Sequence, residues 1–260
     1  MAAVKTHCAA CNQRLPGASD WEPPELWVPE EGEFVGVVGM TRMGKSTWLK
    51  RWLKYLMAQE VTVYTWDPAR EYSRHGLRRE RTPLGPLLTQ VTVSEVLAEP
   101  ELLRVVEPDA ELPAVAIVPN EVRPRRVDIA AGFAQAVPLI LEHAPKGRVV
   151  LVVEECGLLE GNRQAEELLQ EIATTWGKED LAAAFASQAT SQVPDRCRRQ
   201  WRKVVAFRQV DTNDRAALTR LVSGGFSQRV ARLRPHECVL ADRTVAHGEA
   251  LEEASAEGAG

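Results

Sequence analysis

Short apolar runs alternate along the chain with longer stretches in which apolar residues recur every three or four positions. Residues 33–38 (EFVGVV) suit a buried strand, and Thr47–Gln59 carries a helical period behind it. Val61–Trp66 reads as a second strand ending at Asp67-Pro68, followed by an Arg- and Pro-rich loop over residues 73–88. Gln90–Val93 and Ala114–Val118 read as strands, with a helix over Ser94–Val106 between them. Glu121–Arg126 reads as a loop and Val127–His143 as a helix that runs through Pro138. Arg148–Val153 is the strongest buried run and ends in two acids, Glu154 and Glu155. Gln164–Trp176 is an amphipathic helix, and Leu181–Ser187 is another buried strand, ending at Gln188. Lys203–Phe207 is a strand, Asp211–Val222 a helix capped by Asp211 or Thr212, and Cys238–Ala241 a closing strand. Such alternation predicts an α/β fold with a mostly parallel central sheet covered by helices on both faces.

The 260 residues suffice for one large α/β domain or two small ones. Three segments are expected: an N-terminal arm over 1–32, the α/β domain over 33–247, and an acidic tail over 248–260 whose Gly, Ala and Glu content predicts disorder. The arm is rich in Pro, Glu and Trp and is expected to pack through Trp21 and Trp27. The formal net charge is −4, so no broad basic surface announces a nucleic-acid partner, and any such contact has to be local. No apolar run approaches about 18 residues, which predicts no transmembrane segment. The N-terminus MAAVKTHCAAC lacks an apolar signal core, which predicts a cytoplasmic location.

Five cysteines without a signal core argue against a disulfide framework. Cys8-Ala9-Ala10-Cys11 has the spacing of half a zinc knuckle, with His7 beside it. A closed structural zinc site needs four ligands, and no second C-x-x-C exists, so a frayed arm is the competing reading.

The candidate chemistry lies between the first strand and the first helix. Gly39-Met40-Thr41-Arg42-Met43-Gly44-Lys45-Ser46 matches G-x-x-x-x-G-K-[ST], the Walker A phosphate loop, and Thr47 continues it into the helix. Its backbone N–H groups and helix N-terminus would cradle ATP phosphates; Lys45 would reach the β- and γ-phosphates, and Ser46 would hold Mg²⁺. Arg148–Glu155 has the form of a Walker B strand. Glu154 would face the Mg²⁺ shell and Glu155 would polarise the attacking water, although a Glu where Asp is usual leaves the two roles exchangeable. Gln188, ending the strand after Walker B, would contact the γ-phosphate or the water. A strand between the Walker A and Walker B strands and a catalytic Glu together suit a RecA-like P-loop NTPase. No N-K-x-D base-reading motif of GTPases is present. Leu221-Val222-Ser223-Gly224-Gly225 follows Walker B, whereas the signature of ABC transporter ATPases precedes it, so it is read as a helix end with a glycine cap.

Three further segments carry a resemblance to a known family. Trp66-Asp67-Pro68-Ala69-Arg70-Glu71-Tyr72 is similar to the D-P-x-x-E-Y segment of the HerA/FtsK superfamily of DNA-pumping ATPases. Ala186–Pro194 resembles its sensor segment, and Leu233–Leu240 its L-x-P-G-E-x-x-V segment, with His236 in place of Gly. The segments occur in the family's order over about residues 33–245, and the size resembles the compact genome-packaging ATPases of tailless, membrane-containing viruses. The resemblance implies a homo-oligomeric ring, expected to be a hexamer, that hydrolyses ATP and moves double-stranded DNA through its pore. Asp67 and Glu71 are carried over as active-site neighbours. A cation from the adjacent subunit is expected at the phosphoryl group; Lys178 stands where family members often have Arg, and Arg163, Arg196, Arg198 and Arg199 are the other candidates. A viral role would add a capsid or membrane-vertex protein as partner and the host cytoplasm or virion vertex as location. Candidate pore cations are Arg123, Arg125 and Arg126, or Arg78, Arg79 and Arg81. A second reading is an assembly or secretion ATPase of the Zot type; a third, a P-loop small-molecule kinase, fits the paired acids and Gln188 less well.

Overall fold

The computed structural model describes residues 24–72, 88–104, 114–145, 147–176 and 181–244. Eight strands form one sheet in the order β3-β4-β2-β5-β6-β1-β7-β8. They are β1 (Phe34–Val38), β2 (Thr62–Trp66), β3 (Thr89–Thr92), β4 (Ala114–Val118), β5 (Val149–Val153), β6 (Leu181–Ser187), β7 (Trp201–Phe207) and β8 (Cys238–Asp242). All pairings are parallel except β7 with β8. Every residue of β1, β4, β5 and β6 is buried, as expected of strands covered on both faces.

Alternation along β1 divides the core. Val35 and Val37 pack with the apolar stripe of helix α1 (Lys45–Ala58), including Leu49, Trp52 and Leu53. Phe34 and Val38 face the opposite layer, which holds α3 (Arg126–Ala136) and α5 (Arg163–Thr174). Trp27 closes the α1 side: its ring lies 5.6 Å from that of Trp52, whose Nε1 donates to the Trp27 carbonyl at 2.8 Å. Trp21, the half-knuckle at Cys8 and Cys11, and the tail over 248–260 lie outside the described residues.

Four elements depart from expectation, each for a local reason. The helix expected over Val127–His143 divides into α3 and α4 (Pro138–His143), because Pro138 has no N–H to continue the ladder and starts a new helix at its first position. The helix expected over Ser94–Val106 is a shorter α2 (Val93–Ala98), fixed by a Thr92–Glu95 capping box, then a 3-10 turn from Pro100 to Leu103. The basic run after Pro194 forms α6 (Asp195–Gln200), and β7 begins at Trp201 rather than Lys203. After α7 (Thr212–Leu221), Gly224 and Gly225 open α8 (Gly224–Arg232) instead of ending a helix. Ser223 decides this: its hydroxyl accepts from the Phe226 N–H at 3.1 Å, and neither glycine takes the left-handed backbone of a C-cap.

Candidate active site

The carboxyl ends of β1, β5 and β6 meet at the centre of the sheet, where open α/β folds bind ligands. β6 lies between the Walker A strand and the Walker B strand, so the three motifs end side by side.

The phosphate loop is held by distant parts of the chain. The Gly39 N–H donates to the Ser187 carbonyl at 3.2 Å and the Met40 N–H to the Arg208 carbonyl at 3.1 Å. Gly39 is required here, since a Cβ would lie 2.4 Å from the Cβ of Phe207. Gly44 has φ 102, and a Cβ on it would meet His236 at 2.9 Å. His236 donates its N–H to the Met43 carbonyl at 2.8 Å and itself has φ 69. That left-handed backbone gives a physical reason for Gly in the resembling segment. No side chain caps α1 and no acid sits in its first turn, which leaves its first N–H groups and positive dipole end free for an anion. Lys45 is buried, Ser46 and Thr47 are half-buried, and Thr41 and Arg42 are exposed, Arg42 with φ 65.

Glu154 and Glu155 have different surroundings. Glu154 is buried, and the Tyr72 hydroxyl donates to its Oε1. Burial pushes its carboxyl up to about 8, against the lowering pull of Tyr72 and Lys45. Glu155 has φ 52, in the left-handed region that residues other than glycine seldom adopt, and its carboxylate meets Gln188. Gln188 Nε2 donates to both Glu155 oxygens, at 3.2 and 3.0 Å, and Gln188 Oε1 accepts from the Thr41 hydroxyl at 2.6 Å. Thr41, Gln188 and Glu155 thus form one hydrogen-bonded chain across the ends of three adjacent strands. Buried Gln209 supports it, with Nε2 donating to the Gln188 carbonyl and the Thr190 hydroxyl, both at 3.3 Å.

Asp67 is fully buried and accepts from the N–H groups of Glu71 and Tyr72, both at 2.9 Å. Burial raises its carboxyl to about 6 despite these bonds. Its role is to shape the turn that carries Tyr72 under Glu154. Glu71 faces α1, where Lys50 Nζ lies 3.5 Å from its Oε2. Tyr72 and Gln209 are the residues that sequence reasoning missed. Tyr72 lay within the D-P-x-x-E-Y segment but had no role there, and Gln209 has no local signature.

The trans-acting cation candidates are scattered. Lys178 lies outside the described residues, as do Arg78, Arg79 and Arg81. Arg163 is highly exposed and pairs with Glu167 at 2.7 Å. Arg198 and Arg199 both pair with Asp195, at 3.3 and 2.7 Å, while Arg196 is exposed and has no ion pair among the described residues. Of the other loop, Arg125 pairs with Asp128 and Arg126 donates to the carbonyls of Gly157 and Glu160, so both already have structural partners.

A bound Mg²⁺ fits the donor set. Hard oxygen donors from Ser46 and Glu154 suit it, since such sites use one or two protein ligands together with substrate phosphates. The buried carboxyl of Glu154, pushed up to about 8, is also a group whose ionised form a cation would restore. Among the described residues no cluster of three or more His, Cys, Asp or Glu could hold a metal by itself.

Sheet order, phosphate loop and paired acids define a RecA-like P-loop NTPase fold. Among solved structures, the chain is similar to the genome packaging NTPase B204 from Sulfolobus turreted icosahedral virus 2 in complex with ATP-gammaS, with 15% identity and a TM-score of 0.59 over 84% of this chain and 95% of that one. VirB4 of Thermoanaerobacter pseudethanolicus is similar with 12% identity and a TM-score of 0.61, covering 81% and 86%. The bacterial conjugative coupling protein TrwB has 13% identity and a TM-score of 0.53, covering 82% and 83%. At these identities the likeness is one of fold, and a viral genome packaging NTPase among the neighbours agrees with the motif resemblance. No protein-family model matches the chain, and no curated protein matches it. Among the described residues, no helix is long and apolar enough to cross a membrane.

Proposed function

We propose that this protein is an ATPase that drives double-stranded DNA through a homo-oligomeric ring, in the packaging of a viral genome. The observation that carries the ATPase reading is the hydrogen-bonded chain from Thr41 through Gln188 to Glu155. It links the phosphate loop, the sensor strand and a carboxylate, the three parts that hydrolysis of a bound triphosphate requires. The Gly39–Thr47 loop would bind the phosphates, with Lys45 against the β- and γ-groups. Glu155 would accept a proton from the attacking water, and Gln188 would orient that water and report the γ-phosphate to the loop. Mg²⁺, held by Ser46 and Glu154, would neutralise charge on the β- and γ-oxygens. A cation from a neighbouring copy would complete the site, with Arg196, exposed and without an ion pair among the described residues, the first candidate to test. The DNA-moving reading draws on the motif order and on the fold shared with a viral packaging NTPase.

The test is ATP turnover with and without duplex DNA at low and moderate salt. Wild type is expected to hydrolyse ATP faster with DNA, steeply less so as salt rises because phosphate contacts release counterions. Lys45→Ala is expected to remove turnover. Normal turnover in Lys45→Ala refutes the nucleotide site. An active ring that DNA never stimulates refutes the DNA reading and favours an ATPase acting on a protein assembly.

A further inference from the structure

A second group of cations lies near the amino end of β7, at the opposite end of the strands from the phosphate loop. Arg198, Arg199, Arg220 and Arg243 line a cavity of about 360 Å³, with Asp195 as the one acid among the described residues of its wall. α6 runs into the start of β7, α7 ends at Leu221, and β8 ends against Lys203 near the amino end of β7. The phosphate loop leaves the carboxyl end of β1, beside the far end of β7. The cavity is therefore separate from the nucleotide loop of its own subunit.

Its charges do not balance. Asp195 serves two guanidinium groups, binding Arg198 at 3.3 Å and Arg199 at 2.7 Å, and buried Asp214, which already accepts from Ser191, adds a further pull on Arg198. Arg243 donates to backbone carbonyls, those of Arg199 at 3.2 Å and Trp201, which leave its charge uncompensated. Arg220 has no ion pair among the described residues and lies near enough to repel Arg198. Arg198 is 12% exposed, and its buried Nε has no hydrogen-bond partner. Burial holds Arg198 and Arg243 below the ordinary arginine range, so this wall gains from any added negative charge.

The arrangement discriminates among anions. A carboxylate is planar and offers two oxygens, whereas these guanidinium forks come from three separate elements. A tetrahedral oxyanion presents oxygens in several directions and pairs with each fork through charge-assisted bonds. The volume is at the small end for ligand pockets and admits a phosphoryl group together with more of the molecule that carries it. We propose that this cavity is a second phosphate site, lined by Arg198, Arg199, Arg220 and Arg243, that takes the phosphate group of a nucleic-acid backbone or of a free polyphosphate. The assignment rests on the cavity and its charges, and Arg220 and Arg243 set it apart from the ATPase reading, in which Arg198 and Arg199 are candidates for the cation that a neighbouring copy supplies.

The test uses the full chain carrying Lys45→Ala, which silences the phosphate loop, with inorganic pyrophosphate followed by calorimetry. Binding is expected, and Arg199→Glu and Arg220→Glu, both at exposed positions, are each expected to weaken it at least about tenfold. Arg104→Glu, exposed just after the 3-10 turn from Pro100 to Leu103, is expected to leave it unchanged. A short DNA duplex that displaces pyrophosphate identifies the backbone as the source; a duplex that does not displace it identifies a free polyphosphate. Absence of pyrophosphate binding overturns the proposal, as does equal affinity in Arg199→Glu and Arg220→Glu. Binding that emerges only when Glu249, Glu252, Glu253 and Glu257 are changed to Gln overturns it as well, since the acidic tail would then be the occupant. Matching melting temperatures among the variants exclude misfolding as the cause.

Discussion

Replacing Glu154 by Gln removes a buried charge while keeping the shape of the side chain. In the nucleotide-free protein, burial pushes this carboxyl from the ordinary 4.5 up to about 8. The folded chain therefore holds the Glu154 proton more tightly than the unfolded chain. The resulting stability is present in full below the unfolded value and is lost as pH rises through about 8. That interval corresponds to a ceiling of roughly 4 to 5 kcal/mol at alkaline pH. Relaxation and water entry around the ionised group reduce the observable share to about 2 kcal/mol. For a domain of this size the expected gain for Glu154→Gln is roughly 4 to 8 °C in melting temperature at pH 8.5. At pH 4.5 the variant and wild type should melt together. Asp67 titrates in both proteins, and because its charge helps to raise Glu154 the two carboxyls are coupled, which widens the pH interval over which the difference develops. The assay is thermal unfolding of both proteins across this pH range without nucleotide. A variant less stable than wild type at pH 8.5, or a difference that does not change with pH, refutes the account of a strained buried charge.

Tyr72→Phe removes the donor to Glu154 and should cost about 1 to 3 kcal/mol; most of this should disappear in a Glu154→Gln background, measured as a double-mutant cycle by chemical denaturation. Glu155→Gln should retain Mg²⁺–ATP binding while slowing hydrolysis roughly 10²-fold or more, and a comparable loss from Glu154→Gln with none from Glu155→Gln would reverse the two assignments. His236→Gly should match or exceed wild-type stability by up to about 1 kcal/mol, since glycine takes the left-handed backbone freely; a clear loss in melting temperature would show that the imidazole has a packing role instead.

The central sheet was legible because its strands are continuous apolar runs, and every residue of Val149–Val153 and Leu181–Ser187 is buried. The phosphate loop was legible because its glycines are demanded by backbone contacts that a spacing pattern records. Helix boundaries were harder. Pro138 and the Ser223-Gly224-Gly225 segment each suited two local solutions, and hydrogen-bond geometry chose between them. Tyr72 and Gln209 could not be read as site residues, since each acts through a partner far along the chain: Glu154 for the first, Gln188 for the second. Their identity is ordinary, and only the sheet order brings them into play.

The anchoring of the phosphate loop has a consequence for the order in which the protein is made. The loop is encoded within the first fifth of the chain, yet its backbone bonds reach Ser187, Arg208 and His236. A polypeptide still emerging from the ribosome carries the whole Walker A sequence long before it holds the groups that shape it. Local sequence alone cannot seat Gly39 against Phe207 or fasten the Met43 carbonyl to His236. The shape of the loop is thus set only once synthesis has passed His236, and a translation product that stops before Ser187 lacks all three of its distant backbone partners.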